Sequence, residues 1–303
     1  MTPNFLLTRP MFNGSIVALV TPFTEQGDID SNALAGLVDF HLSNGTDGLV
    51  IAGTTGESAA LGADEFCQVL QQVADRVAGR IPVLAGTGSA STRATIKQTA
   101  AATEFGADAA LVVTPYYVKP PQSGLEAHYR AVADASEIPV VLYNVPSRTA
   151  VDMLPATVER LSAHERIVGV KEAVPDASRI EELCARCGSG FAVLSGDDNS
   201  CLDAMKHGAH GVISVAANVA PGQMHELCTT AARQDWNAAE SIDSSLKALF
   251  EVLMIETNPI PVKWALFEMG LIGSGVRLPL TRLSKTSRAG VRQALIDLRL
   301  LQD

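Results

Sequence analysis

The chain has 303 residues, of which 47% are hydrophobic, and its formal net charge at pH 7 is −10. This length accommodates one main domain with an appendage, because α/β barrels commonly run to ~200–250 residues. The acidic balance and the absence of a lysine- and arginine-rich run argue against a nucleic-acid-binding face. No apolar stretch approaches the ~18 residues of a membrane-spanning helix. The composition favours a soluble, cytoplasmic protein that acts on small molecules.

Residues 1–10 are predicted to be a short N-terminal extension, since they lack the basic leader, apolar region and cleavage site of a signal peptide. The five cysteines are scattered, and only Cys184 and Cys187 form a CxxC pair. A zinc site needs a second pair or suitably spaced histidines, so we interpret both as reduced thiols at the end of a helix. No metal is predicted.

Apolar runs of strand length recur through the first two thirds of the chain. They cover residues 15–20, 48–52, 82–85, 109–113, 139–142, 167–170, 191–194 and 211–215. Between them lie segments with helical spacing, for example 32–43, 64–77, 92–105 and 125–135. Continuous apolar strands that alternate with amphipathic helices indicate a parallel sheet covered on both faces.

Eight such units in succession favour a closed (β/α)8 TIM barrel over a doubly wound sheet. The sequence Thr21-Pro22-Phe23-Thr24 stands where a dinucleotide-binding fold would carry its glycine fingerprint. After residue 220 only helical patterns follow, at 222–234, 236–252, 261–269 and 287–301. The sequence therefore predicts a catalytic barrel over 11–220 and a C-terminal helical domain over 221–303, packed on the barrel or on a partner subunit.

Lys171 closes the apolar run 167–170 and is the first candidate catalytic residue. Burial disfavours the charged form of lysine, and a neutral amine in a carbonyl-binding pocket can form a Schiff base. The alternative is a structural lysine whose stem packs at the strand end while its head reaches water. The residues at the ends of the neighbouring strands distinguish between these two interpretations.

Polar residues follow several predicted strands, where a barrel carries its active site. The loop 53–58 places two hydroxyls and free backbone N–H groups between glycines, which suits a carboxylate, although ordinary loops also look like this. Tyr143 ends the strand next to that of Lys171, so the pair can meet inside the rim and exchange protons. Arg148 follows in the same loop and could bind a second carboxylate, or simply form a surface ion pair.

Six motifs, in order along the chain, together resemble the dihydrodipicolinate synthase family. They are Gly53-Thr54-Thr55-Gly56-Glu57, Thr114-Pro115-Tyr116-Tyr117, Tyr143-Asn144-Val145-Pro146-Ser147-Arg148-Thr149, Val170-Lys171-Glu172-Ala173, Leu194-Ser195-Gly196-Asp197-Asp198 and Asn258-Pro259-Ile260-Pro261-Val262-Lys263. The resemblance runs from about residue 11 to the C-terminus. The wider family of pyruvate-dependent class I lyases shares the lysine, the tyrosine and the loop, whereas Arg148 is typical of the synthase branch.

The resemblance implies a role for each motif residue. Lys171 would form a Schiff base with pyruvate, and the enamine would attack L-aspartate 4-semialdehyde to give 4-hydroxy-tetrahydrodipicolinate. Tyr143 would transfer protons, with Thr54 and with Tyr117 from the neighbouring subunit completing its relay. The substrate-binding residues would be Thr55, Arg148, Gly196 and Ile213, the last through its backbone. Neither a metal nor a cofactor is expected, since the iminium is itself the electron sink.

The resemblance also implies a homotetramer, built as a dimer of tight dimers, with lysine regulation in some members. In those members histidine, asparagine and glutamate side chains bind L-lysine at the tight-dimer interface. The corresponding positions in this chain are Ala63, Phe66, Ala90 and Ala94. Such side chains bind neither an ammonium nor a carboxylate, so we predict an enzyme insensitive to L-lysine.

Two other functions stay open on the sequence. A lyase for N-acetylneuraminate or another keto-sugar acid uses the same imine chemistry, but it needs hydroxyl-binding groups where Arg148 stands. A catalytically silent barrel used for binding or assembly is disfavoured by the intact set of Thr54, Tyr117, Tyr143 and Lys171.

Overall fold

The computed structural model describes residues 10–302 and contains a closed barrel of eight parallel strands in chain order, with β8 paired to β1. The strands are β1 Gly14–Ala18, β2 Gly48–Ile51, β3 Val83–Gly86, β4 Ala109–Val113, β5 Val140–Asn144, β6 Ile167–Glu172, β7 Ala192–Ser195 and β8 Gly211–Ser214. Every predicted strand is present, with ends within two residues of those expected. The predicted (β/α)8 barrel is confirmed.

At least one helix follows each strand, and further helices follow the barrel. They are α1 Ser31–Ser43, α2 Ala63–Val77, α3 Thr92–Glu104, α4 Gln122–Ala135, α5 Pro146–Thr149, α6 Pro155–Ser162, α7 Ala177–Cys187, α8 Cys201–Lys206, α9 Pro221–Ala232, α10 Trp236–Val252, α11 Ile260–Glu268 and α12 Lys285–Asp297. Helix α4 begins three residues earlier than predicted, directly after Pro121, which takes the N-cap position. Helix α12 ends four residues early, because Arg299 adopts a left-handed backbone with φ of 57°.

Two apolar groups fill the molecule because side chains alternate along each strand. One lies between the sheet and the helices, and the other fills the barrel interior. Phe12, just before β1, belongs to the interior group and closes the amino-terminal end of the barrel. The polar residues that follow the strands therefore lie at the opposite, carboxyl-terminal end.

The C-terminal helices pack back onto the barrel. Helix α9 contacts β1 and α8, α10 contacts α9 and α8, and α12 contacts both α10 and α11. The predicted boundary at residue 220 falls at the start of α9, and the predicted extension 1–10 lies outside the described residues apart from Pro10. Within residues 10–302 no helix is both long and apolar enough to span a membrane.

Candidate active site

A cavity of about 120 Å³ opens at the carboxyl-terminal end of the barrel strands. Residues from several strand ends, from the loops that follow them and from the C-terminal helices line it. The polar ones are Thr54, Thr55, Tyr143, Ser147, Arg148, Lys171, Asp197, Asp198, Asn199 and Asn258. This is the end at which barrel enzymes carry their catalytic groups.

Lys171 and Tyr143 are register partners on the adjacent strands β6 and β5, and both side chains point into the barrel. The Nζ atom of Lys171 lies 4.4 Å from the centroid of the Tyr143 ring. The two residues are only 5% and 7% exposed. None of the ion pairs formed within residues 10–302 involves Lys171. The sequence-based pairing of these two residues is confirmed, and the amine faces the cavity with no carboxylate beside it.

Glu172 follows Lys171 in sequence but points to the other face of the sheet. Its carboxylate accepts hydrogen bonds from Asn144 Nδ2 at 3.0 Å and from Arg179 Nε at 2.9 Å. Arg179 in turn pairs with Asp152, Nη2 to Oδ1 at 2.7 Å. Burial raises the pKa of Glu172 against the opposing charge of Arg179. This network joins β5 to β6 behind the tyrosine and the lysine, and it holds the carboxylate of Glu172 away from the amine of Lys171.

Thr54 and Thr55 line the cavity from the loop that follows β2. The loop curls on itself, since Glu57 N donates to Thr54 O at 3.1 Å and Ser58 N donates to Gly53 O at 3.2 Å. The hydroxyl of Thr55 accepts a hydrogen bond from Asn258 Nδ2 at 2.9 Å. That bond uses a lone pair, so the proton of the Thr55 hydroxyl stays available for an anionic ligand.

Arg148 and Gly196 complete the part of the predicted site that lies on this cavity. Arg148 stands on the short helix α5, and its Nη2 donates to the backbone oxygen of Asn258 at 3.4 Å. A Cβ added at Gly196 would come within 3.0 Å of Lys171 Cε and 2.8 Å of Ala173 Cβ. A glycine is needed at this position to leave room for the stem of the lysine.

Two predicted site residues do not line the cavity. Ile213 is fully buried within the barrel interior on β8, and the expected contact concerned its backbone. Tyr117 is 90% exposed and has a left-handed backbone with φ of 72°. Together with the exposed Tyr116 and Val118 it forms an outward apolar patch. The site of a single chain is therefore assembled without Tyr117.

The C-terminal region supplies one wall of the cavity, which the sequence did not predict. Phe250, Leu253 and Met254 line the cavity from α10 and the residues after it, and Asn258 contacts both Thr55 and Arg148. The only signal in the sequence was Asn258 itself, a polar residue at the start of a proline-interrupted motif between two helices. Helical spacing alone does not indicate which face of α10 covers the barrel.

Cys184 and Cys187 lie on the last turns of α7, as predicted. Burial raises the pKa of both thiols, that of Cys184 to about 11. Such thiols are protonated at neutral pH and are poor nucleophiles. Within residues 10–302 no group of histidine, cysteine, aspartate and glutamate side chains has the arrangement of a metal site.

A sequence profile of the Dihydrodipicolinate synthetase family matches residues 11–297. Among curated relatives, 4-hydroxy-tetrahydrodipicolinate synthase of Thioalkalivibrio sulfidiphilus is 55% identical over 285 residues, which are 94% of this chain and 97% of that protein. The enzyme of the same name from Pseudomonas aeruginosa is also 55% identical, over 94% of this chain and 98% of the relative.

Solved structures show the same similarity in three dimensions. The chloride-inhibited dihydrodipicolinate synthase of Acinetobacter baumannii, crystallised with pyruvate, has a TM-score of 0.94 and 47% identity, covering 95% of this chain and 99% of the other. The enzyme from Cyanidioschyzon merolae with lysine bound has a TM-score of 0.94 and 36% identity, and the match covers 97% of this chain and 100% of the other.

Proposed function

The chain belongs to the dihydrodipicolinate synthetase family, and from that premise we propose that it condenses pyruvate with L-aspartate 4-semialdehyde to give 4-hydroxy-tetrahydrodipicolinate. This is the first committed step of lysine and diaminopimelate biosynthesis. The observation that carries the proposal is the buried amine of Lys171, which faces the cavity beside the Tyr143 ring and has no ion-pair partner among residues 10–302. The names of the 55% identical relatives support the same reaction.

The proposed reaction begins when the neutral amine of Lys171 adds to the ketone carbon of pyruvate. Loss of one water gives the iminium, and loss of a proton from the pyruvate methyl group gives the enamine. The enamine carbon then bonds to the aldehyde carbon of the second substrate, whose oxygen takes up a proton. Finally the amino group of that substrate attacks the iminium carbon and displaces Lys171, which closes the ring and restores the free amine.

Every one of these steps moves a proton, and in the proposed mechanism Tyr143 transfers it. Its ring lies beside Lys171 Nζ, and the residue lines the same cavity, which supports this role. Thr54 lines this cavity as well. In the proposed relay the third member, Tyr117, comes from a neighbouring subunit. Its 90% exposure supports this, as does the fact that it does not line the cavity of its own chain.

The proposed substrate contacts divide between the two sides of the cavity. Thr55, Gly196 and the backbone of Ile213 hold pyruvate, while the planar guanidinium of Arg148 binds the carboxylate of the semialdehyde in bidentate fashion. Asn258 supports both sides, since it donates to Thr55 and accepts from Arg148.

The proposed assembly is a cytoplasmic homotetramer of two tight dimers. The exposed patch of Tyr116, Tyr117 and Val118 supports a subunit contact at this surface, because contiguous exposed apolar groups mark interaction sites. Mixing the inactive variants Lys171→Ala and Tyr117→Phe tests it. If each active site draws Tyr117 from its neighbour, mixed dimers contain one site with both residues intact and activity returns. Failure of re-mixed subunits to regain activity contradicts the shared site.

Reduction with borohydride in the presence of pyruvate tests the imine directly. Peptide mass spectrometry is expected to find one reduced pyruvyl group on Lys171. Two assays then compare the condensation of pyruvate with aspartate semialdehyde and the cleavage of N-acetylneuraminate, which releases pyruvate. Turnover of the sugar acid alone would replace the proposed function by that of a keto-sugar lyase, and absence of any adduct would indicate a silent barrel.

We further propose that L-lysine does not regulate this chain, although the enzyme of Cyanidioschyzon merolae has a structure with lysine bound. Ala63 and Ala94 are exposed and Phe66 is buried in the core, so these three side chains offer no hydrogen bond to an amino acid. The initial rate is expected to stay constant through a lysine titration. Strong inhibition at sub-millimolar lysine contradicts the proposal.

A further inference from the structure

A second lysine, Lys263 on α11, is buried in an ion pair that lies outside the cavity. Its Nζ pairs with Glu57 Oε1, donates to the backbone oxygen of Thr21 at 3.0 Å and lies 4.4 Å from the centre of the Phe23 ring. The paired side chains are 2% and 1% exposed. Neither Lys263 nor Glu57 lines the cavity.

Glu57 nevertheless belongs to the loop that carries Thr54 and Thr55. Its backbone has a φ of 53°, a left-handed conformation that costs a residue with a Cβ about 1–2 kcal/mol. Its N–H donates to Thr54 O at 3.1 Å. The preceding Gly56 oxygen accepts from the Thr21 hydroxyl at 2.7 Å, so the residue that binds Lys263 through its backbone also holds the loop. A displacement of Glu57 is therefore transmitted to Thr54.

The same C-terminal segment makes a second attachment to this loop. Asn258, five residues before Lys263, donates to the hydroxyl of Thr55 at 2.9 Å. The loop is thus held at Thr55 by Asn258 and at Glu57 by Lys263, two groups that α11 and the residues before it keep at a constant spacing.

Buried ion pairs contribute little to stability compared with well-packed apolar residues, because two charges must be desolvated. They do impose geometry, since each charge needs its partner within hydrogen-bond distance. The Glu57–Lys263 pair fits this second role, because it joins a left-handed loop position to a helix that is distant in sequence.

We propose that Glu57 and Lys263 are positioning residues that hold the loop of Thr54 and Thr55 in the shape that binds pyruvate. The inference rests on the proposed function, in which Thr55 helps to hold pyruvate. The ion pair acts through the loop and touches no reacting atom.

The test separates stability from positioning with the single variants Glu57→Gln and Lys263→Met and the double variant Glu57→Leu/Lys263→Met. For each protein the pyruvate concentration that half-saturates borohydride trapping on Lys171 is measured together with the unfolding temperature. Both single variants are expected to unfold at lower temperature. The double variant is expected to regain stability, because no unpaired charge remains, while its half-saturating pyruvate concentration stays about tenfold above that of the wild type.

Arg277→Met is the matched control for destabilisation nearby. Arg277 stacks on the same Phe23 ring at 4.2 Å and pairs with Glu65, and its backbone bond to Glu57 survives the substitution. It is expected to lower the unfolding temperature without changing the pyruvate dependence.

A double variant with wild-type pyruvate dependence overturns the proposal. If the double variant stays unstable, its half-saturating pyruvate concentration is compared with that of Arg277→Met. A value no higher than that of Arg277→Met also overturns the proposal. Absence of trapping in the wild type itself contradicts the proposed function instead, so the two failures are distinguishable.

Discussion

The two buried lysines of this protein share burial and an aromatic neighbour but differ in their counterions. Lys171 is 5% exposed and Lys263 is 3% exposed, and each Nζ lies 4.4 Å from a ring centroid. Lys263 has the carboxylate of Glu57 and a backbone oxygen as partners. Lys171 has no ion-pair partner within the described chain and faces an open cavity.

Under the proposed function, burial is common to both lysines, and the missing counterion distinguishes the lysine that reacts. A buried amine with a carboxylate beside it is stabilised as the ammonium, which carries no free lone pair. For Lys263, burial lowers the pKa, and the charge and hydrogen bond of Glu57 favour the ammonium and offset part of that shift. A buried amine that faces a cavity without a partner is the one suited to attack a ketone.

The largest expected effect is the loss of chemistry at Lys171. Lys171→Ala removes the only group proposed to bond to pyruvate, so we expect kcat/KM to fall by about 10³-fold or more. Mass spectrometry after borohydride reduction is expected to find no adduct in this variant. Lys263→Met, at saturating pyruvate, is expected to keep the adduct on Lys171. An adduct on Lys263 in Lys171→Ala, or loss of the Lys171 adduct in Lys263→Met, contradicts the distinction between the two lysines.

Tyr143→Phe tests the neighbour of Lys171, the proposed Schiff-base lysine. The ring beside Lys171 remains and only the hydroxyl is lost, so the effect is confined to proton transfer. We expect kcat to fall by about 10²–10⁴-fold, with the adduct still forming on Lys171 at long incubation. Steady-state kinetics measure the change, and an unaltered kcat would assign proton transfer to another group.

Replacing the two lysines is also expected to lower the free energy of unfolding by different amounts. Lys263→Met leaves Glu57 buried and unpaired, and removal of one partner of a buried pair costs about 3–5 kcal/mol. Lys171→Met leaves no charge behind, so we expect a change within about 1 kcal/mol. Denaturant unfolding of both variants measures the difference. Equal losses at the two positions contradict the assignment of a paired and an unpaired lysine.

His41 is a third buried base, and its ring lies beside a hydroxyl where Lys263 has a carboxylate. It is fully buried, its Nδ1 lies 2.9 Å from Thr46 Oγ1, and burial lowers its pKa to about 3. In the unfolded chain His41 therefore binds a proton as the pH falls through about 6.5, whereas in the folded chain it stays neutral down to about pH 3. Stability is fully present above pH 6.5 and is lost as the pH falls, by up to about 1.4 kcal/mol per pH unit.

The variant His41→Gln removes this titration. Its unfolding free energy is expected to change less steeply between about pH 6 and pH 4 than that of the wild type. Some slope should remain, because burial also lowers the pKa of His128, to about 4. Identical slopes in the two proteins contradict the neutral state of His41.

Local pattern was enough to predict the barrel and the central pair of the site. Each strand is a short apolar run, and strands that follow one another become neighbours in a parallel barrel. Because side chains alternate, register alone brings Tyr143 and Lys171 together inside the rim. The same alternation sends Glu172 to the opposite face, although it is adjacent to the lysine in sequence.

The surroundings of the site depended on contacts that no local pattern encodes. Lys263 lies 206 residues from Glu57, and Asn258 lies 203 residues from Thr55. These contacts exist because α11 and the residues before it fold back over the carboxyl-terminal end of the barrel. By itself the sequence determined which residues end the strands, since apolar periodicity is local. Only the tertiary structure decided which buried lysine has a partner, because a charge is paired by what lies near it in space.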